Sequence, residues 1–321
     1  MKMNQKGVFV MKKRINKQKK KFPMIKLLII VAVLLSGYTF KDQLIEKVMP
    51  GGVGQEVAVS AESAKSFPKI DSKQGILVNL KTKEVISQKK GNQVIYPASL
   101  TKIMTTLVAL EQDQALDRSL TIPSGLMSDL HQQGAAVTGF FEGETVPVLD
   151  LLYGVMLPSG ADAALTVAEG LAGSEEKFVA LMNQKAQDLK LENTHFTNVT
   201  GLHDKKHQTT VADLSRLLAS ALENPQFRAI FTTKEHVFYN DYHPEGLVMP
   251  SRLFANLETS QLNQGEILGG KTGYTDEAGQ CLASLAIIDG QEYILVTTGA
   301  KTKSDFANLH IEDAVTIYQN M

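Results

Sequence analysis

Strand patterns near both ends of the chain enclose a long helical region, and this order constrains the fold more than any other feature. Apolar runs at 76–80 and 85–86 predict two strands joined by a short polar turn. Three more strands are predicted at 266–273, 281–288 and 293–299. The Asp289-Gly290 pair between the last two is a strong hairpin signal. The order predicts an α+β fold in which both chain ends build one antiparallel sheet of about five strands, with helices packed on it.

The region between these strands has apolar residues at the three-four spacing of amphipathic helices. The face of one such helix is formed by Leu100, Ile103, Met104, Leu107 and Val108. Pro97, just ahead of them, is typical of a helix start. A second helix is predicted to begin with Thr145 as its cap and Pro147 in its first turn, and to end near residue 156. Further helices are predicted at 160–171, 175–189, 211–223 and 304–319.

The charges of the chain are distributed unevenly. Residues 1–26 carry ten lysines and arginines and no acidic residue, whereas the whole chain has a net charge of −1. The remaining residues therefore carry a net charge of −11. A folded part this acidic would repel phosphates, which argues against a nucleic-acid partner.

The basic segment is followed directly by an apolar run at 27–35 and a weaker stretch to residue 40, the order of an export signal or a signal anchor. Because positive flanks stay in the cytoplasm, everything after residue 40 is expected to face outward. The apolar run is shorter than the roughly 20 residues of a transmembrane helix, which favours a cleaved signal peptide and a secreted protein. No small-x-small cleavage site follows it, however, and we favour an uncleaved membrane anchor.

These features divide the chain into a basic cytoplasmic tail (1–26), a signal anchor or signal peptide core (27–40), a linker (41–70) and a folded domain (71–321). The linker mixes Gly, Ser, Ala, Glu and Lys without lasting periodicity, as a spacer does. The single cysteine, Cys281, excludes an internal disulfide, and its apolar strand-like surroundings predict a packed thiol.

A Ser-x-x-Lys pattern occurs four times, at Ser66/Lys69, Ser87/Lys90, Ser99/Lys102 and Ser174/Lys177. Only Ser99 and Lys102 stand at the start of a strongly apolar helix. Residues three apart share a helix face, and the helix N-terminus points N–H groups towards a developing oxyanion. A serine hydroxyl needs a neighbouring base, and a buried lysine of lowered pKa can be that base. Taken alone, such a motif more often marks an ordinary helix start with a solvated lysine.

Two further motifs follow in the chain. Ser159, with Gly160 and Ala161, stands about 60 residues on, where one helix breaks and the next begins. It is either a reactive hydroxyl or a simple helix cap. Lys271, Thr272 and Gly273 lie in a strand-like segment, beside Tyr274 and Thr275. A strand glycine permits close approach of a ligand, and a lysine beside hydroxyls suits a carboxylate, although an exposed lysine in a turn would give the same pattern.

The order Ser-x-x-Lys, Ser-x-Asn-like, Lys-Thr-Gly resembles the serine D-Ala-D-Ala carboxypeptidases, the low-molecular-mass penicillin-binding proteins of the serine β-lactamase and DD-peptidase superfamily. The resemblance runs from about Asp71 to the end of the chain. It includes the runs at 96–102, 150–154, 196–202 and 271–279. It implies a mainly helical subdomain beside the sheet, removal of the terminal D-alanine from peptidoglycan stem peptides, and covalent inhibition by β-lactam antibiotics.

The same resemblance implies a role for each motif residue. Ser99 would be the nucleophile, Lys102 its base, and Ser159 the relay of a proton to the leaving D-alanine. Lys271 and Thr272 would hold the terminal carboxylate of the substrate, and Lys271 would help to keep Lys102 neutral. Gly273, Tyr274 and Thr275 would complete the substrate site, with the backbone N–H groups of Ser99 and Tyr274 as the oxyanion hole. No metal and no cofactor is implied.

The sequence departs from the family pattern at two places. Ala161 stands where the family has the asparagine of Ser-x-Asn, and losing such a polar contact costs on the order of 1–3 kcal/mol, which slows the chemistry rather than abolishing it. The final helix also lacks an arginine that would assist carboxylate binding, and Asn308 and His310 are poor substitutes.

Three alternatives stay open at this point. A serine β-lactamase needs a further base for deacylation, and Glu192-Asn193 is only a weak trace of one. A zinc peptidase would use His203 and His207, four apart, but their surroundings predict a loop with solvated histidines. A non-catalytic cell-wall binder would keep the pocket without turnover because of Ala161.

Overall fold

Both ends of the chain contribute strands to one six-stranded antiparallel sheet, which confirms the predicted architecture. The computed structural model describes residues 66–113, 116, 118–301 and 308–321. The strands in chain order are β1 (Gln74–Asn79), β2 (Val85–Lys89), β7 (Gln261–Leu262), β8 (Gly265–Thr275), β9 (Gly279–Ile288) and β10 (Gln291–Ala300). They are arranged in the order β2-β1-β10-β9-β8-β7. The sequence predicted five of the six; the two-residue β7 is too short for periodicity to reveal.

Eight helices of the described residues pack around this sheet. They are α1 (Thr101–Gln112), α2 (Leu126–Gln132), α3 (Val148–Met156), α4 (Ala161–Ala172), α5 (Glu175–Asp188), α6 (Val211–Ala221), α7 (Pro225–Thr232) and α8 (Leu309–Gln319). Two small sheets lie among them: β3 (Ser119–Thr121) with β4 (Thr145–Pro147), and β5 (Glu235–Phe238) with β6 (Leu247–Pro250). Short 3-10 turns at Ala98–Leu100 and Phe254–Asn256 complete the described elements.

Alternate residues of the same strand enter two different cores. Ile76 and Val78 belong to the larger core that includes the central helices, whereas Leu77 belongs to a second core with Ile317 and Tyr318 of α8. Because successive side chains of a strand point to opposite faces, the sheet is covered on both sides. This double cover explains why the strands read as nearly continuous apolar runs. Cys281 is fully buried in β9, as predicted for a packed thiol, and burial raises its pKa to about 12.

The two ends of the folded region are tied together by hydrogen bonds. The Asp313 carboxylate on α8 accepts from the backbone N–H groups of Asp71 at 2.9 Å and Ser72 at 2.7 Å. Phe67 and Ile70, at the end of the predicted linker, pack against the second core. The predicted tail, anchor and most of the linker lie outside the described residues. Within the described part of the chain, no helix is both long and apolar enough to cross a bilayer.

The predicted helix start at Thr145 is wrong. Thr145–Pro147 forms strand β4, which pairs with Ser119–Thr121, and the helix begins at Val148. Pro147 has an extended backbone, with a ψ of 144°, and stands just before the helix instead of inside its first turn. The partner strand is three residues long, and its pairing is decided by tertiary contacts that local sequence does not encode.

Candidate active site

Three separate segments of the chain meet at one cavity of about 450 Å³. The start of α1 contributes Ser99 and Lys102, and the turn between α3 and α4 contributes Ser159 and Ala161. The end of β8 contributes residues 272–275. Lys271 is 1% exposed and is not among the described residues that line the cavity; its ammonium group donates to the Thr272 carbonyl at 2.7 Å. The predicted site residues therefore lie together although 172 positions separate Ser99 from Lys271.

The backbone before Ser99 is strained and closely surrounded. Ala98 has a φ of +47°, a left-handed conformation that is unusual for a residue with a side chain and is often found at functional sites. Two glycines approach it from other segments. A Cβ added to Gly201 would lie 1.9 Å from the Ala98 carbonyl oxygen, and one added to Gly273 would lie 3.0 Å from the Ser99 nitrogen. Because these two positions have no side chain, the 198–202 loop and β8 can approach the start of α1 closely.

Gly201→Ala is expected to displace the Ala98–Ser99 backbone and to lower activity about 100-fold, the loss typical of a misplacement of about 1 Å. The new methyl group would clash with the Ala98 carbonyl, and the φ of +84° is itself unfavourable for alanine. Gly143→Ala is the matched control, because its φ is +81° and nothing lies within 4 Å of the added Cβ. Steady-state kinetics and thermal unfolding of both variants test this; equal activity losses would show that backbone strain alone, and not the contact with Ala98, is responsible.

Lys102 is positioned to exchange a proton with Ser99. Its Nζ donates to Ser99 Oγ at 3.2 Å and to the Thr200 carbonyl at 2.6 Å. Burial, followed by the charge of Arg252, lowers the pKa of Lys102 to about 7, and the carboxylate of Asp162 opposes both effects. At neutral pH a large fraction of the amine is therefore uncharged, and an uncharged amine can accept the hydroxyl proton of Ser99.

Arg252 is a site residue that sequence reasoning missed. It lies between β6 and the Phe254–Asn256 turn and lines the cavity. Its Nε donates to the Pro158 carbonyl at 2.8 Å, and its backbone N–H donates to the Leu157 carbonyl at 3.1 Å. These bonds attach the arginine to the turn that carries Ser159. Arg252 is the only arginine after residue 228 and lies 19 positions before Lys271, and this position in the sequence could have identified it.

Three basic side chains lie in the cavity wall or are buried next to it: Lys102, Arg252 and Lys271. Burial, followed by the charges of Lys102 and Arg252, places the pKa of Lys271 well below its ordinary value. After burial, the charge of Arg252 is the next cause of the lowered Lys102 pKa. The expected contribution of Lys271 to keeping Lys102 neutral stays a prediction. Among the described lining residues there is no aspartate or glutamate. A site of this kind attracts a negatively charged group such as a carboxylate.

Ser159 is held in an unusual conformation. Its φ is +71°, its side chain is buried, and its Oγ has no hydrogen-bond partner among the described residues. The turn that carries it is fixed by Ala161 N–H, which donates to the Ala136 carbonyl at 2.8 Å, and by Asp162 Oδ1, which accepts from Thr138 N–H at 2.8 Å. Ser159 lines the cavity, and its buried hydroxyl keeps a hydrogen-bonding capacity that no described residue uses.

Ala161 is the first residue of α4 and is buried against the cavity. Its methyl group cannot supply the hydrogen bond that an asparagine amide would give. Besides its hydrogen bond to Ser99, Lys102 donates a hydrogen bond to the Thr200 carbonyl. That carbonyl is positioned by a loop in which Asn198 Oδ1 accepts from the N–H groups of Thr200 and Gly201.

The remaining wall of the cavity is uncharged and includes polar side chains from three segments. His310 Nδ1 and Gln280 Oε1 lie 3.0 Å apart, and burial lowers the pKa of His310 to about 4, so the imidazole is neutral at pH 7. Asn308 donates its amide to Asn256 Oδ1 at 3.2 Å. Asn308 and His310, expected to be poor substitutes for an arginine, thus do line the site but bring no positive charge at neutral pH.

The structure corrects the prediction of two solvated histidines for His207 alone, because His203 is exposed as predicted. His207 is 1% exposed: Thr101 Oγ1 lies 2.8 Å from its Nε2, and its Nδ1 accepts from Thr197 N–H at 3.1 Å. His203 instead packs edge-on against the Tyr96 ring. Both lie outside the helices, and His207 holds the loop against the start of α1. Across residues 66–113, 116, 118–301 and 308–321 there is no group of three or more His, Cys, Asp or Glu side chains that could hold a metal ion.

Comparisons with known proteins give the family to which this fold and this cavity belong. Residues 60–302 match the family model of peptidase S11, D-alanyl-D-alanine carboxypeptidase. The chain therefore belongs to the peptidase S11 family.

Curated relatives and solved structures agree with this membership. The chain is 33% identical over 240 residues to the D-alanyl-D-alanine carboxypeptidase DacF of Bacillus subtilis, covering 73% of this chain and 59% of the relative. It is 35% identical over 253 residues to DacC of Escherichia coli, covering 76% and 60%. A mutant of the Streptomyces K15 DD-transpeptidase superposes with a TM-score of 0.70 and 27% identity, covering 78% of this chain and 97% of that one. The chain spans about three fifths of the length of the two curated relatives.

Proposed function

We propose that this protein is a serine D-Ala-D-Ala carboxypeptidase that removes the terminal D-alanine from peptidoglycan stem peptides. The observation that carries the proposal is the Ser99–Lys102 pair. A hydroxyl 3.2 Å from a buried amine whose pKa is lowered to about 7 is an activated nucleophile. Ser159, Thr272 and Gly273 line the same cavity as this pair. Lys271 is buried next to Thr272.

The reaction follows from these positions. Neutral Lys102 takes the proton of Ser99, and Ser99 Oγ attacks the carbonyl carbon of the penultimate D-alanine. The C–N bond breaks as the proton passes, through Ser159 Oγ, to the leaving amine. An ester between Ser99 and the peptide remains, and water hydrolyses it to release the shortened peptide. Backbone N–H groups of Ser99 and Tyr274 stabilise the oxyanion, each worth about 3 kcal/mol in such sites.

Recognition of the substrate terminus rests on charge. The peptide ends in a carboxylate, and the guanidinium of Arg252, with the hydroxyl of Thr272, attracts it. A β-lactamase would need a carboxylate that activates the deacylating water. None lines the described part of the cavity, and neither Glu192 nor Asn193 is among its lining residues. The arrangement therefore favours a peptidase that β-lactams acylate over an enzyme that turns them over rapidly.

The location of the protein is part of the proposal. The basic segment 1–26 and the apolar segment at 27–40 support a membrane anchor, with the folded domain outside the cytoplasmic membrane and within reach of the cell wall. The acidic balance of the rest of the chain argues against a nucleic-acid partner.

Labelling with a penicillin tests the nucleophile directly. Incubation of the full-length protein with benzylpenicillin is expected to give a covalent adduct on the tryptic peptide that contains Ser99, detected by mass spectrometry. Ser99→Ala should lose the adduct, and Ser87→Ala, from an accidental Ser-x-x-Lys motif in β2, should retain it. An adduct that persists in Ser99→Ala would show that another residue is acylated.

Ala161→Asn is expected to accelerate acylation about tenfold, because the amide restores a polar contact of about 1–3 kcal/mol near Lys102. Ala161→Leu is the matched control, since it adds comparable volume without a polar group. Stopped-flow acylation by a chromogenic β-lactam measures both. A slower Ala161→Asn variant that folds normally would mean that the Thr200 carbonyl has replaced the amide completely.

A further inference from the structure

A second surface of the protein presents exposed aromatic rings that the proposed reaction does not use. Phe141 is 52% exposed, Tyr239 64% and Tyr242 52%. Phe141 belongs to the segment before β4, and the two tyrosines belong to the loop that joins β5 and β6. We name these three residues the aromatic platform. Of the described residues, the other strongly exposed aromatic ring is that of Tyr274, which lines the cavity.

The platform is built and held in place. The rings of Phe141 and Tyr242 stack at 6.0 Å with an angle of 28°, and those of Phe141 and His243 stack at 5.1 Å with an angle of 21°. Tyr239 packs beside Gly246, where an added Cβ would lie 2.8 Å from its ring. The rings therefore have fixed orientations although large parts of them face solvent.

A buried carboxylate joins the two segments that carry the rings. Glu144 is fully buried, and its Oε2 accepts from Phe141 N–H at 2.8 Å and lies 3.1 Å from His243 Nε2. Its Oε1 accepts from the Asn240 amide at 2.7 Å. Burying a carboxylate is costly unless it is fully hydrogen-bonded, and here its bonds go to the segments that present the platform. Such pre-organisation is typical of a binding surface.

The platform lies close to the proposed active site along the chain. Gly134, Ala135 and Ala136 line the cavity, and five residues further on the same segment reaches Phe141. Because an extended chain spans at most about 3.6 Å per residue, the Cα atoms of Ala136 and Phe141 are at most about 18 Å apart. A polymer of a few sugar units could touch the platform while its attached peptide enters the cavity.

The charges around the platform select the class of ligand. Glu142, Asp241 and Glu245 are exposed beside it, and no lysine or arginine occurs in 137–147 or 239–250. An acidic surface repels anionic lipid headgroups and nucleic acid. Neutral sugar rings suit it, because their C–H faces stack on the negative faces of aromatic rings and their hydroxyls and acetamido groups hydrogen-bond to carboxylates.

From these observations we propose that the aromatic platform binds the glycan strand of peptidoglycan, a chain of N-acetylated amino sugars, and thereby presents the attached stem peptide to Ser99. This inference rests on the proposed function for the identity of the polymer. The geometry of the platform, the buried Glu144 that fixes it and the acidic surroundings carry it independently of the chemistry at Ser99.

The first test is binding without catalysis. Full-length protein is sedimented with chitin, a neutral insoluble glycan of N-acetylglucosamine, and separately with phosphatidylglycerol vesicles. Phe141→Ala/Tyr242→Ala removes two rings, and Phe141→Tyr/Tyr242→Phe, the matched control, exchanges one hydroxyl while keeping both rings. The ring-free variant is expected to bind glycan about tenfold more weakly, and the exchanged variant within about twofold of wild type. Equal glycan binding by all three proteins, no glycan binding at all, or loss of vesicle binding alone would overturn the inference.

The second test separates this inference from the proposed function. D-Alanine release is compared between a free stem peptide and the same peptide attached to a glycan oligomer. Ring removal should raise KM about tenfold on the glycan-linked substrate only, with kcat unchanged. If the wild type cleaves both substrates and ring removal changes neither KM, the inference fails and the proposed function stands. If the wild type cleaves neither while it binds glycan through the rings, the proposed function fails and the inference stands.

Discussion

Replacing Lys102 with methionine should slow acylation of Ser99 by about 10³–10⁴-fold, the loss typical of a removed general base. Methionine has nearly the length of lysine and suits a buried site, so the fold should be retained. The variant removes the amine, which lies 3.2 Å from Ser99 Oγ and 2.6 Å from the Thr200 carbonyl. Rates of acylation by a chromogenic β-lactam, and of D-alanine release, measure the effect.

The chain supplies a matched control for this experiment. Lys90 follows Ser87 in another Ser-x-x-Lys pattern, at the end of β2, and its side chain is exposed. Lys90→Met should therefore react at the wild-type rate. A Lys102→Met variant that folds normally and retains more than about a tenth of the wild-type rate would contradict the assignment of Lys102 as the base.

The pKa of Lys102 also fixes the direction of the pH dependence. The base acts in its neutral form, and the neutral fraction rises with pH through a pKa of about 7. We expect kcat/KM to fall about tenfold per pH unit below that value and to level off above it. The acid limb should be absent in Lys102→Met.

Arg252→Gln should also have a large effect, and it should act in two ways. Loss of a cation that faces the substrate carboxylate should raise KM about 100-fold, a magnitude typical of an unpaired charge at a binding site. Loss of the same cation should raise the pKa of Lys102, because Arg252 is the charge that lowers it most after burial. The acid limb of kcat/KM should consequently move to higher pH.

Two comparisons make this prediction specific. Arg118 also donates to a backbone carbonyl, that of Gly170, at 3.2 Å, but it does not line the cavity, and Arg118→Gln should leave KM and the acid limb unchanged. A stem peptide whose terminal carboxylate is amidated should lose most of its dependence on Arg252. If Arg252→Gln raised KM equally for the acid and the amide, the arginine would support the turn at Pro158 and would not bind the carboxylate.

The elements that sequence reasoning placed well have strong local periodicity. The Asp289-Gly290 hairpin between β9 and β10 and the apolar face of α1 were predicted because turn chemistry and three-four spacing are local properties. Thr145 was misplaced in a helix because its strand partner, 119–121, is distant and short. Residues such as these take their structure from tertiary contacts, which a single segment does not encode.

The same division holds in the site. Ser99 and Lys102 are three apart, and their meeting could be predicted from this spacing together with the apolar helix face that follows. The Thr200 carbonyl reaches Lys102 across 98 positions, and Arg252 reaches the Ser159 turn across 94 positions to Pro158. A backbone carbonyl has no sequence signature, and Arg252 lies outside the motifs. His207 was expected to be solvated because a loop of polar residues surrounds it, but the start of α1 covers it.

Release of D-alanine from a stem peptide ending in D-Ala-D-Ala tests the central claim most directly. Full-length protein and a Ser99→Ala variant are compared without added metal, after both are shown to fold. We predict release by the wild type and none above background in Ser99→Ala. Equal release by both proteins would contradict the assignment of Ser99, and no release from a folded wild type that penicillin labels would show that the protein binds the cell wall without cutting it.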